Sequence, residues 1–123
     1  MIQGVVMQGK RLDRVNHLVQ MELSRLILHK VRDPRLGFVT VTHVDVSPDL
    51  KSARVFYSVM GDDKAKEASR TALDRARGFL QREIGTSLKL KYTPKLNFSQ
   101  DDSLDHSLEI DRVLKEIHEE KRD

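Results

Sequence analysis

The chain has no cysteine and no tryptophan, and only four phenylalanines and two tyrosines. Without thiols there is no disulfide, no thiolate metal site and no cysteine nucleophile, a composition that suits a reducing cytoplasm. No apolar run approaches the roughly 20 residues that a membrane helix requires. The first residues, Met1-Ile2-Gln3-Gly4-Val5-Val6-Met7, have neither a basic start nor a long hydrophobic region. Secretion and membrane insertion are therefore not expected, and a cytoplasmic, monomeric protein is. Also missing are a Gly-rich phosphate loop, a serine elbow and any paired nucleophile and base. His17 and His29, like His106 and His118, stand twelve positions apart, which is not the one-turn spacing of a zinc helix. Asp101, Asp102 and Asp105 lack the glycine and the bidentate glutamate of a calcium loop and read instead as a helix start. His43 has no second ligand at metal or relay spacing and is expected to be structural. These absences favour a binding protein over an enzyme, with no metal and no cofactor.

What is present is a modest apolar fraction and an uneven charge. A chain of 123 residues with 38% apolar content suffices for one core. The formal net charge is only +3, yet Ser99 to Asp123 carry 9 acids against 4 bases, leaving residues 1–98 with 18 bases against 10 acids. The folded part is thus basic at +8 and the tail acidic at −5. A basic body favours a polyanionic partner, because neutralised phosphates release counterions.

Apolar periodicity supplies the elements. Leu12, Val15, Val19, Leu23, Leu26 and Ile27 fall at spacings of three and four, one stripe of a helix ending near Val31. Asp33-Pro34 and Gly37 then close a turn. Phe38–Val46 and Ala53–Val59 read as strands of an antiparallel hairpin through Ser47-Pro48-Asp49-Leu50-Lys51. Val39 and Val41 share one parity, Val44 and Val46 the other, so the first strand either bulges near Thr42-His43 or is buried on both faces. Gly61-Asp62-Asp63 opens a second helix with acids at its positive end. Ala65, Ala68, Ala72, Leu73, Ala76, Phe79, Leu80 and Ile84 mark its apolar face, and Gly85-Thr86-Ser87 ends it. Gly78 invites a bend that splits it into two shorter helices, since glycine costs about 1 kcal/mol there relative to alanine. Leu88, Leu90, Tyr92, Leu96 and Phe98 keep one parity into a third strand that Pro94 marks as an edge or interrupted one. Leu104, Leu108, Val113, Leu114 and Ile117 predict a C-terminal helix capped by Ser103. Residues 1–100 are expected to form the binding domain and 101–123 an acidic helical or partly disordered tail.

Lys64, Lys66, Arg70, Arg75, Arg77 and Arg82 run along the bent helix and continue into Lys89 and Lys91, so eight bases meet five acids between Asp62 and Tyr92. By strand parity Lys89 and Lys91 project from the face opposite Leu88, Leu90 and Tyr92. With few aromatics, most on core parity, phosphate and shape contacts are expected to outweigh base stacking. Arg11, Arg14 and Arg25 lie off the first helix's apolar stripe, where a solvated face is the plainer reading.

Helix, strand, strand, kinked helix pair, strand is the order of a type II KH domain, an α+β fold, here with a C-terminal helical extension. Where such a module carries a Gly-x-x-Gly loop, this chain has Ala76-Arg77-Gly78. Together with Arg11-Leu12-Asp13-Arg14-Val15, Glu22-Leu23, Asp33-Pro34-Arg35, Val44 through Ala53, Pro94-Lys95-Leu96-Asn97-Phe98 and Asp101-Asp102-Ser103, the chain resembles the bacterial ribosome-binding factor A family. The resemblance implies a non-catalytic assembly factor. It would bind the free 30S subunit and its 16S rRNA, support late maturation and precursor processing, aid growth in the cold, and leave with the help of a GTPase. Carried over, Ala76 and Gly78 form the kink and Arg75, Arg77 and Arg82 meet rRNA, joined by Arg70 from the basic run along the helix and, on strand parity, by Lys89 and Lys91. Arg11, Arg14 and Arg35 are secondary contacts, Arg35 equally readable as a local turn contact. The alternative is an adaptor that docks a ribosomal or assembly protein through the alanine-rich face and the tail, its basic surface being incidental.

Overall fold

A computed structural model describes residues 10–101. The expected C-terminal helix, its Ser103 cap, His106, His118 and nearly all of the acidic tail lie outside these residues. The order is α1 (Leu12–His29), β1 (Phe38–Val46), β2 (Ser52–Met60), α2 (Asp63–Ser87) and β3 (Lys95–Gln100). β2 is the central strand, antiparallel to β1 and parallel to β3. Parallel pairing requires a crossover, which α2 supplies. This is the type II KH order.

The apolar stripe of α1 buries Val19, Leu23, Leu26 and Ile27. It meets Val41, Val44, Val55, Leu73, Leu80, Ile84 and Leu96 in one core between the helices and one face of the sheet. Side chains of α1 also occupy the outer edge of β1: Gln20 Nε2 donates to the Val41 carbonyl at 3.1 Å, and Asn16 Oδ1 accepts from the Val46 amide at 2.8 Å. Those contacts satisfy groups that would otherwise invite another strand. The parity switch in β1 is a bulge, with the register shifting between Val41 and His43.

Asp62 caps α2, its carboxylate accepting from the Ala65 amide at 2.8 Å. Two expectations change here. First, α2 is one uninterrupted 25-residue helix through Ala76-Arg77-Gly78, not two shorter helices. Packing of Ala72, Leu73, Leu80 and Ile84 on both sides of Gly78 outweighs the local propensity cost of one glycine. Second, Leu88–Pro94 is a turn and not part of the third strand, which spans only Lys95–Gln100. The Leu90 amide donates to the Gly85 carbonyl at 2.9 Å and the Lys89 amide to the Thr86 carbonyl at 3.2 Å. With Lys89 at φ 53°, this is a Schellman closure of α2, a place where glycine is usual. Leu88 and Leu90 pack on the core through this turn, mimicking strand parity, whereas Tyr92 is exposed.

Candidate nucleic-acid interface

At 3.6 residues per turn, positions seven apart lie on nearly the same face of a helix, about 10.5 Å along its axis. The four arginines of α2 therefore form two stripes, Arg70 with Arg77 and Arg75 with Arg82. On the first stripe Arg77 Nη2 lies 2.9 Å from Asp74 Oδ1, and Arg70 lies 3.6 Å from Glu67. Both pairs are solvent-accessible and contribute little to stability, but they place an acid beside each cation. Arg77 Nε is buried without a hydrogen-bond partner. The second stripe is different: Arg75 and Arg82 are exposed, and neither forms an ion pair among the described residues. Lys64, eleven residues before Arg75, continues it.

Arg75 and Ala76 also line a notch of about 230 Å³ with Lys30, Val31, Arg32, Asp33, Ala72 and Phe79. Two of its cations follow α1 and one comes from the middle of α2. The loop that carries Lys30 and Arg32 is fixed from both ends. Lys30 and Val31 amides close α1 on the Leu26 carbonyl at 2.8 and 3.0 Å. The Gly37 amide donates to the Oγ of Ser69, a fully buried serine of α2, at 2.9 Å. Within the loop Arg35 holds Asp33 through Nε at 2.9 Å and Nη2 at 2.7 Å. The Arg35 side chain and amide, with a weaker field from Arg75, hold the Asp33 carboxyl at about 2. Asp33, the only acid lining the notch among the described residues, is thus already engaged by Arg35. Lys30, Arg32 and Arg75, with no ion pair among those residues, present a positive field suited to phosphate oxygens.

Gly78 lies between Ala76 and Phe79, two residues that line the notch. A Cβ there would meet only the far end of Arg82, Nη1 at 3.3 Å. No packing demand excludes alanine, so its helix-weakening effect is tolerated without a steric reason. Of the remaining expected residues, Lys89 and Lys91 sit in the turn after α2, with the Lys91 ammonium 5.5 Å from the Tyr92 ring centre. Arg11 and Arg14 lie at the opposite end of α1 from Lys30, about 25 Å away along the axis, and are not brought to the notch. Arg35 is engaged as the turn contact. Lys30 and Arg32 escaped the sequence reading. Two cations around a helix end are a common pattern, and no local signal places them beside Arg75, which the packing of the two helices and the Gly37–Ser69 tie accomplish. Among the described residues no group of histidines and carboxylates could hold a metal, and no helix is long and apolar enough to cross a membrane.

These features define a KH-like α+β domain with a basic helical face beside a cationic notch. The family model described as ribosome-binding factor A matches residues 11–114. A curated ribosome-binding factor A from Halothermothrix orenii is 43% identical over 115 residues, 94% of each chain. The solution NMR structure of a Thermotoga maritima protein superposes with a TM-score of 0.65 at 32% identity, covering 72% of this chain and 85% of that one. Coordinates of Thermus thermophilus ribosome-binding factor A, fitted into a cryo-EM map of its 30S complex, match with a TM-score of 0.58 at 25% identity, covering 68% and 88%. The chain belongs to the ribosome-binding factor A family.

Proposed function

We propose that this protein is an assembly factor that binds the free 30S subunit through its 16S rRNA and supports late maturation, including precursor processing and growth in the cold. The observation that carries the reading is the stripe of Arg75 and Arg82 running into the notch of Lys30 and Arg32. It is a preformed cationic surface without carboxylate partners among the described residues, on a member of a family with a relative fitted on the 30S particle. Arg70 and Arg77 flank it, and Lys89 and Lys91 extend the basic surface beyond the end of α2. Because α2 is continuous, the surface is a rigid rod that follows the shape and phosphates of folded RNA rather than a loop that clamps single bases.

Changing Arg75 and Arg82 together to Glu tests this against purified small subunits. Binding should weaken, and the slope of log affinity on log salt should fall by roughly 2, one for each lost phosphate contact. Unchanged affinity and slope would remove the surface from the interface. The alanine-rich face expected to dock a protein is largely taken up by the core, with Ala72, Leu73, Leu80 and Ile84 buried. One observation supports an adaptor acting elsewhere: Leu28 and Phe38 are exposed beside a groove of about 370 Å³ that also includes Ile27, Val31 and Leu36. A ribosomal protein docked there would make subunit binding nearly independent of salt.

A further inference from the structure

Both helices pack on one face of the sheet, the face of Ala53, Val55, Tyr57 and Val59. The opposite face carries Arg54 and Phe56 of the central strand, His43 and Asp45 of β1, and Asn97 and Ser99 of β3. The bulge decides part of this arrangement. With unbroken alternation His43 would share the inward parity of Val41. The register shift at Thr42 turns His43 outward instead, directly across from Phe56. The shift is held by the Thr42 hydroxyl, which donates to the Asp101 carboxylate at 2.7 Å with the Phe56 carbonyl 3.2 Å away. The His43 and Phe56 rings are 5.8 Å apart between centres and tilted by 35°. On the same strand the Arg54 guanidinium lies 5.1 Å from the Phe56 ring centre. Three flat π groups are thus gathered on an outward face by a chain that has only four phenylalanines, two tyrosines and five histidines.

We propose that this face is a second RNA-binding surface, which takes an unpaired strand and stacks a base on the Phe56, His43 and Arg54 platform. The chemistry of the neighbours agrees. Asn97 stands across from Arg54 and Ser99 across from Phe56, placing an amide and a hydroxyl beside the platform to meet base edges. Toward the start of β3 the cations accumulate: Lys95 follows the turn, and the Lys51 and Lys91 ammoniums lie 4.9 and 5.5 Å from the Tyr92 ring centre. Asp45, across from Arg54 on the far strand, repels phosphate. A bound backbone is therefore directed along the β3 side, between the lysines and the platform. An aromatic platform beside a positive track is the general solution for single strands. Exposed Phe38 and Met60 pair at the far end of the same face, but they offer no cation or amide; the polar, cationic β3 side around Phe56 is the part that suits a strand.

The inference rests on the reading of the protein as an RNA-binding factor, and the two fail separately. The test uses the full chain with a fluorescent 12-nucleotide single strand of mixed sequence and, in parallel, an RNA hairpin. Phe56→Leu keeps an apolar strand residue and removes the π face. It should weaken single-strand binding roughly 10-fold, the loss expected for one stacked base, while hairpin binding changes less than about twofold. Single-strand affinity equal to the parent's overturns the proposal, as does an equal loss on both RNAs. Photocrosslinking of the unaltered chain to a 4-thiouridine strand does not depend on the variant's folding. Crosslinks should fall in the peptide containing Arg54 and Phe56, and crosslinks confined to α2 overturn the proposal. Failure of the α2 surface would show instead in the Arg75 and Arg82 variant on subunits, with the Phe56 results unaffected.

Discussion

Gly78 and Gly85 are seven residues apart on one helix, yet their surroundings give them different roles. An added Cβ at Gly85 would lie 3.2 Å from Thr93 Oγ1 and 3.4 Å from Thr93 Cα, and backbone cannot step aside as a side-chain tip can. Gly85→Ala should therefore cost about 1–3 kcal/mol, the usual range for overpacking, read as a lower denaturation midpoint. Gly78→Ala should do the opposite, raising stability by up to about 1 kcal/mol through helix propensity. It should also weaken subunit binding, because the new methyl displaces the Arg82 guanidinium. A stabilised variant with unaltered binding would limit Gly78 to an accident of composition. Lys89 offers a third contrast. Its left-handed backbone strains any residue with a Cβ by about 1 kcal/mol or somewhat more. Lys89→Gly should raise stability by about that amount, shifting the melting temperature by roughly 4 °C or more for a domain of this size.

Between elements, two contacts set how the helices and the intervening loop are arranged. Ser69 Oγ accepts the Gly37 amide, and Ser69→Ala would leave that donor without its partner. The cost is about 1–2 kcal/mol, and the loop carrying Arg32 would lose its tie to Arg75. Subunit binding should weaken although no cation has been removed. Glu22 of α1 is held at about 2, chiefly by its hydrogen bond with Arg25 and further by Ser87 at the end of α2, against a smaller upward push from burial. Its folded value lies below its ordinary 4.5, so the stabilisation is complete above pH 4.5 and is lost as pH falls toward 2. With half-exposed Arg25 screened by solvent, the contribution is on the order of 1 kcal/mol. Glu22→Gln should lower stability at pH 6 and flatten the acid limb of the melting curve between pH 5 and 2. Most of these elements are legible in the sequence because they rest on local rules: the three-and-four stripe of α1, the cap at Asp62, and the parity switch that becomes the bulge at Thr42. The two misread features share one cause. Gly78 suggested a break and the leucine parity of 88–92 suggested a strand, yet both are overruled by packing and hydrogen bonds made to residues distant in sequence or across a turn.

For the molecule as a whole, the basic residues gather toward two places. One follows α2 and ends in the notch of Lys30, Arg32 and Arg75. Another gathers Lys51, Lys91 and Tyr92 beside the start of β3 and leads onto the open sheet face. Two separate contacts on one particle act through effective concentration, so losing either should weaken overall binding severalfold without abolishing it. Combining Phe56→Leu with the Arg75 and Arg82 changes should cost more than the sum of the logarithmic losses if both sites engage together, measured as dissociation rates from small subunits. Composition and periodicity were enough for a basic, thiol-free α+β domain and most of its element order, and short motifs carried the family resemblance, because those properties depend on each residue and its near neighbours in the chain. Which cations meet was settled in three dimensions. Lys30 reaches Arg75 through a loop tied to a buried serine, Arg35 is taken up by Asp33, and His43 turns outward beside Phe56 because one residue of β1 is left out of the ladder. The Arg35–Asp33 pair is local and was open to a short window of sequence, whereas the Lys30–Arg75 and His43–Phe56 neighbours come from separate segments that only the fold brings together.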